Sequence, residues 1–349
     1  MSRFYSFIVP VFDRPGEMAE LLASLAGQTL KSFEVVIIED GSSVKSGQVA
    51  ASFSAQVEIR YFDQPKSGPS LARNFGMEQA RGDYLIFVDS DCLVPPGYLK
   101  VVDDYLDRHP VDFFGGPDRA AGDFNRVQKA ISYAMTSFLT TGGIRGGRRQ
   151  VARFHPRSFN MGISRKAWLA TGGFPVTRMH PGEDMVFSIE LIKAGFSAGL
   201  ITDAYVYHKR RTSLSRFYRQ VYGFGKTRLI ISKVYPDTFR PFFVFPTLFV
   251  YGNLLLIAAS LILAVALQAA WPLLMVVPLL LWMLMVVSDA SVRTASVRTG
   301  LKSLVAAAIQ MAGYGTGFLG AWYKACVRGV DEYAVFSGGF YPKPGPKGR

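Results

Sequence analysis

Cysteine is scarce in this chain. Cys92 and Cys326 are the only two among 349 residues, which excludes a disulfide-framed scaffold and offers no zinc-binding spacing. Histidine is scarce too, with four. No G-x-G-x-x-G follows the first strand-like run, which disfavours a dinucleotide oxidoreductase. The N-terminus, MSRFYSFIVPVFDRP, lacks the apolar core of a secretory leader, because its short hydrophobic stretch is broken by Pro10 and Asp13. The domain that follows is therefore expected in the cytoplasm. The largest absence is of charge. Between positions 241 and 288 there is no Asp, Glu, Lys or Arg. A bilayer helix needs about 20 apolar residues, so this run has room for two.

The charge that is present is clustered. The net value is +13, and nine basic residues (Lys209, Arg210, Arg211, Arg216, Arg219, Lys226, Arg228, Lys233, Arg240) stand against Asp237 alone just before the charge-free run. A basic collar beside a span reads as contact with anionic lipids and as a positive-inside signal, not as a nucleic-acid surface. Residues 242–267 and 271–287 are the expected spans. Arg293, Arg298 and Lys302 follow, and both they and the collar are expected on the cytoplasmic side. Residues 303–323 form a third charge-free stretch, rich in Gly and Ala and holding Gln310. Two readings of it stand: a span packed through Gly313 and Gly317, or a helix lying at the interface. A basic tail, with Lys324, Arg328, Lys343, Lys347 and Arg349, ends the chain.

The N-terminal part alternates strand and helix. Residues 4–11, 33–38, 57–62 and 84–88 read as strands, and residues 15–25 and 69–80 as helices. The run 33–38 is almost wholly apolar, as expected of a strand buried on both faces. This pattern predicts an α/β fold with a doubly wound, mostly parallel sheet and right-handed crossovers. Ligands of such sheets bind at the carboxyl ends of the strands, and the acids fall there: Asp13 after the first strand, Glu39 and Asp40 after the second, Asp89 and Asp91 after the fourth. A further helix is expected over 183–194, and a mobile Gly/Arg-rich loop over 141–157.

Each motif has an ordinary reading beside its functional one. Asp89-Ser90-Asp91 could cap the turn before Pro95, or place two carboxylates on a divalent cation and a diphosphate. Asp40 could close a turn on its own backbone, or accept a hydrogen bond from a nucleobase. Glu183 and Asp184 could be helix-terminal acids, or include a general base. Arg73 could be a solvated helix residue or a phosphate partner. His208 could be a surface histidine, or a metal or diphosphate ligand.

Five segments, FIVPVFDRP, FEVVIIEDGS, GPSLARNFGMEQARGDYLIFVDSD, FNMGISRKAWLATGGFP and GEDMVFSIELIKAGF, resemble family 2 of the inverting glycosyltransferases, in the family's order, over roughly residues 6–196. The resemblance implies a GT-A-like fold and a single inverting displacement assisted by Mg²⁺ or Mn²⁺. It makes Asp184 the catalytic base and Asp40 the residue that binds the nucleotide base. Asp91 becomes the metal-binding acid, with Asp89 beside the donor's ribose and diphosphate and His208 as a further candidate ligand. Pro10, Asp13, Arg73 and Glu183 complete the expected donor-binding set. Glu39 replaces the more common Asp of the second motif. The Q-x-x-R-W motif of processive members is absent, its nearest segment being residues 219–225, which favours transfer of a single sugar.

The expected organisation is a GT-A-like catalytic domain over 1–225, a basic juxtamembrane linker over 226–241, two or three membrane helices over 242–323 and a tail over 324–349. The expected partners are a nucleotide-sugar donor (UDP- or GDP-linked), a lipid-linked or membrane-resident acceptor held between residues 115 and 173, and anionic lipids, in cell-envelope or extracellular glycan synthesis. A non-catalytic nucleotide-sugar-binding regulator and a transporter subunit are the alternatives. Charge-free spans argue against the transporter.

Overall fold

Phe33–Asp40 (β2) is buried along its whole length. It is flanked by β1 (Tyr5–Val11) and β3 (Glu58–Gln64), with β4 (Tyr84–Phe87) on the far side of β1, and all these pairs are parallel. The computed structural model describes residues 3–119, 124–142, 155–177, 179–209 and 212–336. Its main sheet has seven strands in the order β3-β2-β1-β4-β8-β6-β9, where β6 is Phe113–Gly115, β8 is Met161–Ser164 and β9 is Ala198–Leu200. Only β8 runs antiparallel to its neighbours. A small second sheet, ordered β5-β10-β7, joins Cys92–Leu93 (β5), Val206–His208 (β10) and Asp118–Arg119 (β7).

Helices cover both faces of the main sheet. On one side, α1 (Pro15–Ala26) and α4 (Tyr98–Arg108) bury Met18, Leu21, Leu99 and Val102 against Phe7 and Val9. On the other, α3 (Pro69–Gln79) and α8 (Glu183–Lys193) bury Met77 and Phe187 against Ile8 and Val36. Alternate side chains of β1 therefore feed two cores, as a central strand requires. The short helices are α2 (Gly47–Phe53), α5 (Arg126–Thr136), α6 (Phe138–Thr141) and α7 (Arg165–Thr171). The expected 141–157 loop lies mostly outside the described residues.

Among the described residues, three helices are long and apolar enough to cross a membrane: α10 (Phe245–Ala266), α11 (Val277–Thr294, preceded by a 3-10 turn at Trp271–Val276) and α12 (Val297–Trp322, continued by a π-helical turn to Val327). They are not alike. Only 6 % and 11 % of the most apolar stretches of α10 and α11 are buried, against 44 % for α12. The partner of α12 is α9 (Leu214–Val234), which carries Arg216, Arg219, Lys226, Arg228 and Lys233 of the basic run. This helix buries Phe217, Val221, Leu229 and Ile230 while Arg216, Arg219 and Lys233 face outward. It runs unbroken through position 225/226. The two helices touch backbone to backbone: a Cβ on Gly225 would strike the Tyr314 carbonyl, and one on Gly317 the Tyr222 carbonyl. Small residues at such crossings let apolar helices approach closely.

Candidate functional site

The carboxyl ends of β1, β2 and β4 open into a cleft of about 440 Å³. Pro10, Asp40, Arg73, Asp89, Asp91 and His208 all line it. Asp13, Glu183 and Asp184 are not among its lining residues.

Backbone geometry sets the rim. Gly41 follows β2 with φ 73°, and a side chain there would collide with the backbone of Lys66, so only glycine fits this turn. Asp13 adopts φ 52° and its Oδ1 accepts from the N–H groups of Ser43 (2.6 Å) and Val44 (2.9 Å). It thereby ties the β1 turn to the β2 turn. Asp40 accepts from Gln64 Nε2 (3.0 Å), Ser67 N and Oγ (2.8 Å each) and Gly68 N (2.8 Å). A carboxylate offers about four lone-pair positions, so Asp40 is saturated by the turn that starts α3. A base contact through Asp40 requires one of these bonds to open.

Arg73 sits one turn into α3 and is 4 % exposed. Its guanidinium donates to Asp89 Oδ1 (2.9 Å) and reaches Glu183 Oε1 (3.4 Å), bringing α3, the end of β4 and α8 to one point. Burial opposes its charge, yet the two acids outweigh burial and hold its pKa above the ordinary value. Glu183 also meets His180 Nδ1 (3.2 Å) and the Gly182 N–H (2.9 Å). Burial again opposes ionisation, but His180 and Arg73 prevail, and the carboxyl falls to about 2. The residue missed in the sequence is His180, whose bond to Pro181 is cis.

Asp91 is held by Arg14 Nη1 (2.7 Å) and His208 Nε2 (3.2 Å). Burial raises its pKa, but the His208 hydrogen bond and the Arg14 charge override this and keep it well below the carboxylate range. Pairing of β10 with β5 sets His208 opposite Cys92, which is how a residue 117 positions away reaches Asp91. Ligand atoms of Asp91, Cys92 and His208 lie within 4.8 Å of one another. Burial pushes the Cys92 thiol well up, so it stays protonated and is a poor ligand. An ionised carboxylate suits Mn²⁺ or Mg²⁺, and an imidazole beside it favours Mn²⁺ of the two. Asp89 is turned to Arg73 instead.

Asp184 lies apart, at the start of α8. Arg157 Nη1 and the Ser158 N–H each reach its carboxylate at 3.3 Å, and the Met185 N–H at 2.7 Å. Sequence reading gave the remaining cleft walls no site role: Arg14, Lys66 and Lys209 add positive charge, Met135 comes from α5 and Gln220 from α9. Arg14 lies in the first family-like segment, Lys209 in the basic collar and Gln220 in the segment nearest the absent processive motif.

A mostly parallel α/β sheet with acids and arginines gathered at its strand ends is a GT-A-like arrangement. Residues 6–168 match the family model described as glycosyl transferase family 2. An uncharacterized glycosyltransferase of Rickettsia felis is 40 % identical over 88 residues, which is 25 % of this chain but 15 % of that protein. The match thus spans a small part of that relative's length. YibD, an uncharacterized glycosyltransferase of Escherichia coli K12, is 26 % identical over 231 residues, covering 62 % of this chain and 64 % of that one. In fold, the chain is similar to a mannosyltransferase of Pyrobaculum calidifontis solved with GDP-Man and Mn²⁺. The TM-score is 0.52 at 17 % identity, covering 89 % of this chain and 88 % of that chain.

Proposed function

We propose that this chain is an inverting, divalent-metal-dependent glycosyltransferase that moves a sugar from a nucleotide-sugar donor to a membrane-resident acceptor. The observation that carries the reading is the convergence of Asp89, Asp91, Arg73 and His208 in one cleft at the strand ends of a family 2 domain. Asp91 and His208 would hold Mg²⁺ or Mn²⁺, with Asp89 a further candidate. The ion offsets charge on the leaving nucleoside diphosphate. Arg14, Lys66 and Lys209 line the same cleft and add fixed positive charge for that diphosphate. Pro10 and Asp13 shape the rim, and Asp40 reads the base once its α3 contacts open. Asp184 takes the acceptor's proton, after exchanging its Arg157 contact for the acceptor hydroxyl. Glu183 and Arg73 hold the donor side in position. Synthesis of cell-envelope or extracellular glycans is the setting that fits.

The membrane-resident acceptor rests on packing. The cleft walls Met135 and Gln220 belong to α5 and α9, which pack on the apolar helices. Tyr133 of α5 donates to Asp289 of α11 (2.8 Å), and Trp282 of α11 donates to the Leu139 carbonyl (3.1 Å). Such a docked domain keeps its cleft at the bilayer surface. The 1–225 domain, 226–241 linker, 242–323 membrane helices and 324–349 tail are proposed as the functional division, with the catalytic part cytoplasmic and α9 bracing both sides of the linker.

The test is turnover of a UDP- and GDP-sugar panel by the full chain in micelles, with lipid-linked and soluble acceptors. Transfer is expected with one donor, abolished by EDTA and restored by Mn²⁺ or Mg²⁺. Donor binding without transfer to any acceptor would favour the regulator instead.

A further inference from the structure

Arg228, on α9, has an environment unlike that of the arginines around the donor cleft. Arg14 and Arg73 each meet carboxylates. Among the described residues, no carboxylate lies within ion-pair distance of Arg228. Its guanidinium instead sits over the ring of Phe243 (4.3 Å), with Tyr314 of α12 nearby. Burial pulls its pKa down to about 10, and the charge of Arg157 pushes the same way while Asp184 opposes it. A half-buried cation without a close counter-ion is costly, and this one is packed against the Phe243 ring. The neighbouring Thr227 donates to the Pro181 carbonyl and blocks any side chain at Gly182, just before Asp184. Two guanidinium groups, Arg157 and Arg228, therefore stand near the carboxylate of Asp184.

We propose that Arg228 and Arg157 form a phosphate-binding subsite for the anionic headgroup of a membrane lipid acceptor, beside Asp184. The proposal rests on the glycosyltransferase reading above and names the acceptor's chemistry. A phosphate or diphosphate supplies the missing negative charge, and guanidinium groups are suited to it by their planar donor fork. Donor phosphates have cations of their own: Arg14, Lys66, Arg73 and Lys209 line the donor cleft, and Arg228 does not. The subsite's other walls, Phe243 and Tyr314, lie in the 3-10 turn just before α10 and within α12. A headgroup whose lipid tail stays along these apolar helices would reach it by lateral diffusion. When Arg157 turns to that headgroup, the Asp184 carboxylate is released for the acceptor hydroxyl, so acceptor binding would also free the base.

The test uses the full chain in micelles with EDTA present, so that metal-bridged donor binding is silent. The probes are geranyl diphosphate, inorganic pyrophosphate and geraniol, followed by calorimetry. Geranyl diphosphate is expected to bind and geraniol not to. Arg228→Gln should weaken that binding about 30-fold, the scale for removing one member of an enclosed charge contact, and Arg228→Lys should weaken it less. Arg157→Gln, outside α9, should show a comparable loss and keeps the test open if α9 variants misfold. Wild-type affinity in either folded Gln variant would overturn the subsite. Pyrophosphate binding as tightly as geranyl diphosphate would overturn the lipid assignment, leaving a soluble anion as occupant. Mn²⁺-dependent UDP binding is measured separately. Its absence counts against the glycosyltransferase reading, whereas its presence with variant-insensitive geranyl diphosphate binding counts against the subsite alone.

Discussion

The strand-end rim and the α9–α12 seam solve opposite problems. At the rim, charge is dense and matched: Arg73 against Asp89 and Glu183, Arg14 and His208 against Asp91. At the seam, glycines replace side chains, backbones touch, and the half-buried Arg228 faces a ring. Paired charges at the rim keep Asp91 and Glu183 ionised despite their burial. Close packing at the seam fixes the position of the Asp184 turn relative to the apolar helices. The comparison teaches that the cleft is rigid through electrostatics on one side and through packing on the other, and each can be broken separately.

The largest expected effect is at the rim. Arg73→Met fills a similar volume but strands Asp89 and Glu183. Breaking a buried charge network by removing one partner costs about 3–5 kcal/mol. Denaturant unfolding of the full chain in micelles should show a loss of that order. A change within the error of the measurement would mean that the triad is held by packing instead.

Next in size is Asp184→Asn, which keeps the shape and removes the basicity. Transfer should fall at least ~100-fold, while Mn²⁺-dependent binding of the donor nucleotide stays near the wild-type value because Asp184 lies outside the cleft lining. Near-normal turnover would remove Asp184 from the mechanism.

The seam yields a smaller effect. Gly317→Val would drive a side chain into the Tyr222 carbonyl. Overpacking of this kind costs about 1–3 kcal/mol, and it should appear as a lower thermal midpoint together with faster proteolysis between α9 and α10. Retained stability would show that the two helices separate without cost.

The rim was far more legible in the sequence than the seam. β1, β2 and β4 announce themselves as short apolar runs followed by acids, and helix α3 begins at Pro69, so most of the rim follows from local pattern. His208 could be named but not placed, because its position depends on strand pairing with Cys92 across the small sheet. His180, Met135 and Gln220 reach the cleft through packing between distant segments, for which no local spacing exists. The basic run shows why composition alone misleads. Its charges read as a collar, yet Phe217, Val221, Leu229 and Ile230 give α9 a buried face, and it is a brace between domain and apolar helices. Gly313 and Gly317 did read as a packing surface. Their counterpart, Gly225, could be found only once the two helices were seen side by side.

The smallest effect is a titration at the rim's edge, and it separates its paired charges from simple burial. His180 is subject to two opposing influences. Burial, and next to it the charge of Arg73, lower its pKa, while the hydrogen bond and charge of Glu183 raise it, with the net result above the ordinary value of 6.5. A histidine whose folded pKa is raised contributes stability that is fully present below its unfolded pKa. That stability is lost as pH rises through the folded value. The His180–Glu183 contact should therefore loosen on the alkaline side of 6.5, without any change at pH 5. Because the imidazole is substantially exposed, solvent screening keeps the stability effect slight, and the sensitive readout is the titration itself. In Glu183→Gln the main raising influence is removed, leaving only the smaller one of Asp184 against burial and Arg73, so the His180 pKa should drop below 6.5. Nuclear magnetic resonance of histidine-labelled protein, with His180→Gln to assign the signal, measures both values. A His180 pKa that is already below 6.5 in the wild type, or that does not fall in Glu183→Gln, would show that Glu183 is spent on Arg73 alone and that the matched-charge description stops short of the cis-proline turn.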